Sequence, residues 1–376
     1  MLKMFNPETL RYNRFLSQAG ERNVGLRFAS AVAGQPVLVT GAGGYIGSAL
    51  AMALAAAGPA RLVLLDSSEH NLFGIQQRLE AAQGHLPHEA ILGSVTDADL
   101  LSRLFSRFRP NIVYHAAALK HVPLLELNPL AAVRNNALGT YTLARAALQQ
   151  DVRALVLVST DKAAKPHSIM GASKRLAELT VAALSGPQCR MNAVRLGNVI
   201  GSTDSVVPIF REQIARRGPV TVTHPEVSRY FMSLGEAVEA ILAAGAAECA
   251  GRILLPALGE PERIADLARF LIRAAADGSG NEIPIRFIGL RPGEKIKEDL
   301  IFQTEVRDGS AMGPLDVILT PSPAPAELHG RMEQLACHVA TGDVAELIGT
   351  ISAMVPEYKP SSLILAAMGA GGSSGR

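Results

Sequence analysis

The stretch from Val37 to Gly47 reads VLVTGAGGYIG and constrains the fold more than any other part of the chain. An apolar run enters it, glycines recur at 41, 44 and 47, and an alanine-rich helical pattern leaves it. Glycine is needed where a turn is tight, where backbone approaches a pyrophosphate, and where a helix packs closely on a strand. The helix N-terminus beyond such a loop stabilises negative charge. Asp66 ends the next apolar run, 19 residues after Gly47. A carboxylate there accepts hydrogen bonds from the adenosine ribose and repels a 2′-phosphate. A plain tight turn and an exposed strand-end acid would be the simpler reading, but the strand before and helix after favour a dinucleotide site. Gly41, Gly43, Gly44, Tyr45, Ile46, Gly47 and Asp66 are its expected residues, and NAD is expected rather than NADP.

The same alternation continues downstream. Apolar runs at Val37–Thr40, Arg61–Asp66, Ala90–Gly93, Asn111–His115, Ala154–Ser159 and Asn192–Leu196 read as buried strands. Helical spacing fills Ser48–Ala57, Glu69–Ala82, Asp97–Arg107, Pro129–Gln149 and Ser173–Leu184. Continuously apolar strands separated by helices imply an α/β fold, a doubly wound parallel sheet of Rossmann type covered on both faces. The reading divides the chain into a lead-in (1–35), the dinucleotide-binding domain (36–200), a smaller discontinuous substrate-binding region partly interleaved with it (201–360), and a flexible tail (361–376) that is Gly/Ser-rich from Gly369. A Pro/Ala/Ser-rich loop is expected near Pro321–Ala326, and Asp97 reads as a helix cap.

Composition excludes other classes. The 376 residues are 48% hydrophobic and 19% charged, with a formal net charge of +2 and no tryptophan. This is globular composition with no electrostatic footprint or stacking platform for nucleic acid. The uncharged stretch from Phe28 to Ala60 has the length of a membrane span, but its glycines and prolines mark a strand, a turn and a helix instead. No secretion signal is read at the N-terminus, so a cytoplasmic protein is expected. Cys189, Cys249 and Cys337 are far apart and read as reduced core residues, with no metal-ligand spacing.

Longer blocks carry a specific resemblance. The glycine pattern, His115-Ala116-Ala117 and RLGNVIG (195–201) resemble the extended short-chain dehydrogenase/reductase superfamily. HAAALKHVPLLELNPLAAVRNNALGT (115–140), STDKAAKPHSIMGASKR (159–175), GPVTVTHPEVSRYFM (218–232) and LRPGEK (290–295) narrow it to the UDP-N-acetylglucosamine 4,6-dehydratases of the polysaccharide-biosynthesis group. In that group the sugar 4-hydroxyl is oxidised, water leaves across C5–C6, and hydride returns to C6, so NAD is regenerated in each turnover. The resemblance implies Asp161 as the acid for the departing 6-hydroxyl, Lys162 as the C5 base and Thr160 as a partner of the 4-oxygen. A helix-capping Asp and a surface Lys are the plainer reading of the same residues. Ala116 and Ala117 would border the cofactor, and Lys174 would hold its nicotinamide ribose.

Met170, four residues before Lys174 and on the same helix face, stands where short-chain dehydrogenases usually carry an ionisable tyrosine. The membrane-anchored branch of the dehydratases also carries Met there and retains the C5 configuration, so retention is expected here. What removes the 4-hydroxyl proton is left between Thr160, through a water, and Asp161. For the UDP-sugar, the resemblance implies contacts from Asn198, Arg229, Arg291 and Glu294, with Lys120 beside the hexose. His121 is given no chemistry, and Glu126 and Asn128 read as helix-start residues. Ser94, Lys165, His167, Ser168, Thr203 and Asp204 depart from the group's pattern near the expected ligands. Two other readings stay open: a nucleotide-sugar epimerase or oxidoreductase, and a non-catalytic NAD-binding regulatory protein. Helices near 129–150 and 168–184 commonly pair between subunits in the superfamily, so a homo-oligomer is expected.

Overall fold

A computed structural model describes residues 28–82, 86–202, 205–275 and 283–370. Most of the lead-in, Thr203, Asp204 and the last six residues lie outside the described residues.

Seven parallel strands form the body of one sheet: β1 (Pro36–Thr40), β2 (Arg61–Asp66), β3 (His88–Leu92), β4 (Ile112–His115), β5 (Ala154–Thr160), β6 (Arg190–Leu196) and β7 (Ile253–Pro256). Two further strands, β8 (Val306–Met312) and β9 (Leu315–Leu319), close one edge antiparallel, giving the order β8-β9-β7-β6-β5-β4-β1-β2-β3. The order reverses at β1, between β2 and β4, so a crevice opens beyond the carboxyl ends of these strands. Nearly every residue of β1, β2, β4 and β5 is buried, as two helix-covered faces require.

Helices α1 (Tyr45–Ala56), α2 (Glu69–Ala82) and α3 (Ala98–Phe108) follow the first three strands. The uncharged stretch 28–60 thus resolves into β1, the glycine loop and α1, and among the described residues no helix is long and apolar enough to cross a membrane. Asp97 caps α3, its carboxylate accepting from Leu100 N–H at 2.9 Å. After β4 come the short α4 (Val122–Glu126), a turn at Pro129–Ala132, a π-helical stretch Val133–Leu138, and α5 (Gly139–Gln149). The single helix expected over 129–149 is therefore interrupted by a widened turn. Asn136 sits on that turn and bonds both backbone groups of Leu119 and the Ser173 hydroxyl.

The region after residue 200 divides three ways. Helices α7 (Val206–Ala215) and α9 (Ile264–Ala275) build a small lobe with its own core, including Phe210, Val220, Leu267 and Leu271, while α8 (Leu234–Ala246), between them in sequence, packs on the main sheet. Strands β7 to β9 belong to the main sheet. A third part, α10 (Pro325–Thr341), α11 (Val344–Met354) and α12 (Ser362–Ala370), forms a helical layer. The loop expected at 321–326 gives way to α10 at Pro325, and residues 362–370, expected to be flexible, are helical with Ile364 fully buried.

This layer covers the helix that matters most for the site, α6 (Ile169–Leu184). Every residue of α6 from Ile169 to Val181 is buried. One side packs on β5 and β6, the other on α10 and α11. Leu328, Met332 and Leu335 of α10 meet Leu347, Ile348 and Ile351 of α11 and Leu176 of α6 in one apolar cluster. Each such side chain contributes roughly 1.5–3 kcal/mol by burial, so the layer is integral to the fold. The side of α6 away from the sheet is covered by the chain's own helices. The cysteines are not uniformly core residues: Cys189 is buried, but Cys337 is exposed on α10.

An ionic network pins α6 from the sheet side. Arg195, fully buried on β6, pairs with Glu178 at 2.7 Å and Glu305 at 2.9 Å. Arg175 pairs with the same two carboxylates and with Glu357. Arg195 also donates to Leu300 O, and Ser159 donates to Glu178, so β5, β6, α6 and two later segments share one network.

Candidate active site

The glycine loop is shaped for a ligand's backbone contacts. Gly41 has φ +67, and a Cβ there would lie 2.6 Å from Ala117 N. A Cβ on Gly47 would lie 1.9 Å from Gly41 O, so only glycine lets α1 start this close to β1. A cleft of about 210 Å³ opens over the loop, bordered by Gly41, Gly44, Asp66, Ser94, Ala116 and Ala117 among others. Asp66 closes it from the end of β2. Its carboxylate accepts from Gly43 N–H and Ser68 N–H, both at 2.9 Å, which fixes its orientation while leaving lone pairs for ribose hydroxyls. Tyr45 donates its hydroxyl to Ile200 O at 2.9 Å, tying the loop to the strand end beyond β6, while Ile46 packs against the core. Ser94 bonds Thr96 and borders the cleft without offering a carboxylate. An adenosine-type dinucleotide fits this cradle.

Behind the cleft lies His115, 1% exposed at the end of β4. Thr140 donates to Asn136 O at 2.6 Å, so His115 Nε2 must donate to Thr140 while Nδ1 accepts from Thr40. Burial, reinforced by Lys174, holds its pKa down at about 3. The imidazole is neutral and structural.

Thr160, Asp161, Lys162 and Asn198 converge beyond the carboxyl end of β5. Asp161 is fully buried, and its Oδ1 accepts from the Thr160 hydroxyl at 2.9 Å and the Lys162 ammonium at 3.0 Å. Its Oδ2 has no partner among the described residues. Lys162 Nζ also bonds Asn198 Oδ1 at 3.2 Å, and its side chain retains 21% exposure. The result is an accessible amine held between a buried carboxylate and an amide. The resemblance had placed these residues in one site, and the structure brings them together.

Helix α6 starts beside this group. Ser168 caps it by accepting from Gly171 N–H at 3.1 Å. Met170 is 4% exposed in the apolar cluster shared with the C-terminal helices, so it supplies packing and no proton. Lys174 is 4% exposed and donates to Val158 O at 2.7 Å; burial lowers its pKa to about 8, against the pull of Glu178.

The remaining expected ligands are more dispersed. Lys120 and His121 are exposed after β4. Arg229 is turned inward, donating to the carbonyls of Ser228, Lys295 and Ile296, so it braces the LRPGEK loop. Arg291 is exposed, and Glu294 accepts from its N–H at 3.1 Å. Glu126 departs most from its expected role. It is 2% exposed and does not start a helix; it accepts from Ile169 N–H at 2.7 Å and bonds the Ser361 hydroxyl. Burial pushes its carboxyl above the usual range, opposed by those two bonds. Asn128 donates its amide to Leu124 O. Among the described residues no group of three or more His, Cys, Asp or Glu is placed to hold a metal.

A doubly wound sheet, a glycine cradle at its switch point and a Thr-Asp-Lys group at β5 define a Rossmann-type chain of the short-chain dehydrogenase/reductase kind. The polysaccharide biosynthesis protein family matches residues 37–318, and the chain belongs to it. It is 42% identical over 273 residues to the capsular polysaccharide biosynthesis protein CapD of Staphylococcus aureus, covering 72% of this chain but only 45% of that protein. The chain thus spans about half the length of such relatives. Among solved structures it is similar to Pen from Bacillus thuringiensis, with a TM-score of 0.70 at 28% identity over 78% of this chain and 89% of Pen. It is also similar to the UDP-glucose 4-epimerase of Thermus thermophilus in complex with NAD, with a TM-score of 0.56 at 26% identity over 70% and 89% of the two chains.

Proposed function

We propose that the chain is an enzyme that carries out NAD-dependent 4,6-dehydration of a UDP-N-acetylhexosamine, in the first instance UDP-N-acetylglucosamine. The product is a 4-keto-6-deoxy sugar nucleotide with the C5 configuration retained. The observation that carries this reading is the Asp161–Lys162–Asn198 group at the sheet edge, beside the buried Lys174. Bound NAD supplies the hydride acceptor and donor. The Thr160 hydroxyl, already donating to Asp161, gives the sugar 4-hydroxyl proton a route to the carboxylate. Lys162, exposed enough to reach a substrate, acts in its neutral amine form and takes the C5 proton, while Asp161 passes the proton received from the 4-hydroxyl to the departing 6-hydroxyl, which leaves as water. Asn198 holds the amine in place. Lys174 lies on the next turn of α6 from Met170, where it suits the nicotinamide ribose.

Retention follows from the same arrangement. Inversion needs a proton donor on the face opposite the base, and Met170 removes the ionisable group that position usually offers. Lys162 then returns a proton to the face from which it took one. Incubation with UDP-N-acetylglucosamine, followed by mass spectrometry, is expected to show loss of one water. In heavy water, deuterium is expected at C5, with NMR couplings reporting an unchanged configuration. A C4 epimer of unchanged mass would favour the epimerase reading, which the similarity to UDP-glucose 4-epimerases keeps as second choice. An unaltered substrate would sink both.

A further inference from the structure

A second cleft, of about 340 Å³, lies between the 290–294 loop and the segment 359–362. His167 forms part of its wall, five residues after Lys162, so the two Cα atoms are at most about 18 Å apart. Both rims are fixed. Gly293 has φ +80, and a Cβ on it would lie 2.9 Å from Ser168 Cβ and 3.0 Å from Glu126 Cδ, so this loop sits directly on the start of α6. On the other rim, Lys359 N–H donates to Pro166 O at 3.0 Å, and Ser361 bonds the buried Glu126.

Two cations, Arg291 and Lys359, line this cleft. Among the described residues neither the Arg291 guanidinium nor the Lys359 ammonium forms an ion pair or a side-chain hydrogen bond. Glu294, also on the rim, accepts from Arg291 N–H. Lys165 and Lys295 add to the positive field around His167, opposed by Glu298. A preformed cleft with two free cations matches a diphosphate, which takes paired donors from Arg and a point charge from Lys.

The resemblance already implies Arg291 and Glu294 as UDP contacts; we propose that Lys359, lining the same cleft, completes that nucleotide end by binding the diphosphate together with Arg291. The inference rests on the UDP-sugar reading above and adds a specificity residue from outside the family-matched span 37–318. Lys359 is exposed and joins the rim through its backbone N–H, so its side chain can be changed without disturbing the rim.

The test is calorimetric titration of the full chain with UDP, free of any turnover. Lys359→Met is expected to weaken UDP binding about tenfold or more, the size of a lost charge-assisted contact. Lys359→Arg is expected to keep most of the affinity. Arg216→Ala, which removes a cation whose side chain is 76% exposed elsewhere, is expected to change nothing. Equal affinity of wild type and Lys359→Met would overturn the inference and leave the proposed function standing, as would an equal loss in Arg216→Ala. Failure of the wild-type chain to bind UDP at all would instead overturn the UDP-sugar reading itself.

Discussion

Lys174 offers the sharpest physical test, because its environment predicts a stability change of definite sign and size. The amine is 4% exposed, and burial lowers its pKa from an ordinary 10.5 to about 8. That displacement corresponds to a cost of about 3.4 kcal/mol for keeping the charge inside the native protein. Below about pH 8 both native and unfolded chains hold the proton, so the native state carries the whole cost. Between about pH 8 and 10.5 the unfolded chain still binds the proton while the native one has shed it, so stability rises with pH. By about pH 9.5 the native state has recovered roughly 2 kcal/mol. Lys174→Met has no amine to titrate, and other groups titrate alike in both proteins and cancel. Urea unfolding of both proteins at about pH 7 and about pH 9.5 is therefore expected to show the wild type gaining about 2 kcal/mol on the variant. A wild-type-minus-variant difference that stays constant within about 0.5 kcal/mol would refute the burial argument.

The remaining predictions concern the reaction, the cofactor and the ionic network. Lys162→Met is expected to abolish dehydration while NAD affinity stays near the wild-type value, since the amine lies at the β5 edge and not in the glycine loop; wild-type turnover in that variant would remove Lys162 as the base. Fluorescence titration is expected to show NAD bound more tightly than NADP, because the fixed Asp66 carboxylate borders the cleft and would repel a 2′-phosphate. Tighter NADP binding would discard that role. Glu178→Ala, which leaves Arg195 and Arg175 each short of a buried partner, is expected to cost about 3–5 kcal/mol in urea unfolding. A loss below about 1 kcal/mol would mean that water or a rearranged Glu305 replaces it.

How legible these features were follows the range of the interactions behind them. The glycine loop, Asp66 and the first six strands could be read from the sequence because turn chemistry and apolar runs act locally. Boundaries moved by a residue or two, as at β3, which begins at His88 rather than Ala90. Thr160, Asp161 and Lys162 were legible only through resemblance, since nothing in their spacing shows that Asn198 will reach Lys162. The π-helical turn at Val133–Leu138 was not legible: VRNNAL contains no helix breaker, and the widening comes with Asn136 reaching Leu119 and Ser173. Glu126 read as a helix-start residue because its partners, Ile169 and Ser361, are 43 and 235 positions away. The network of Arg175, Glu178, Arg195, Glu305 and Glu357 was missed for the same reason, as charges alone do not disclose that they will be buried together. Residues 362–370 read as tail because they run into the Gly/Ser-rich end at 369–376, yet Ile364 finds a buried place.

The C-terminal layer changes what holds the proposed catalytic helix. In an assembly that pairs subunits through α5 and α6, the outer face of α6 would be finished by a neighbour. Here α10 and α11 finish it from the same chain, and thirteen successive residues of α6 are buried as a result. Each side chain that α10 and α11 bury against α6 contributes roughly 1.5–3 kcal/mol. The helix is clamped on both sides: the Arg195–Glu178 network ties it to β6, and Glu126 joins its first turn to Ser361. Both clamps bear on the segment that runs from the Asp161–Lys162 pair through Met170 to Lys174. Because Gly293 rests on Ser168 and Glu126 at that same point, the LRPGEK loop, the C-terminal segment and the start of α6 meet in one place. Their relative position is set by direct contacts within this chain: Gly293 against Ser168 and Glu126, Ser361 against Glu126, and Lys359 N–H against Pro166 O.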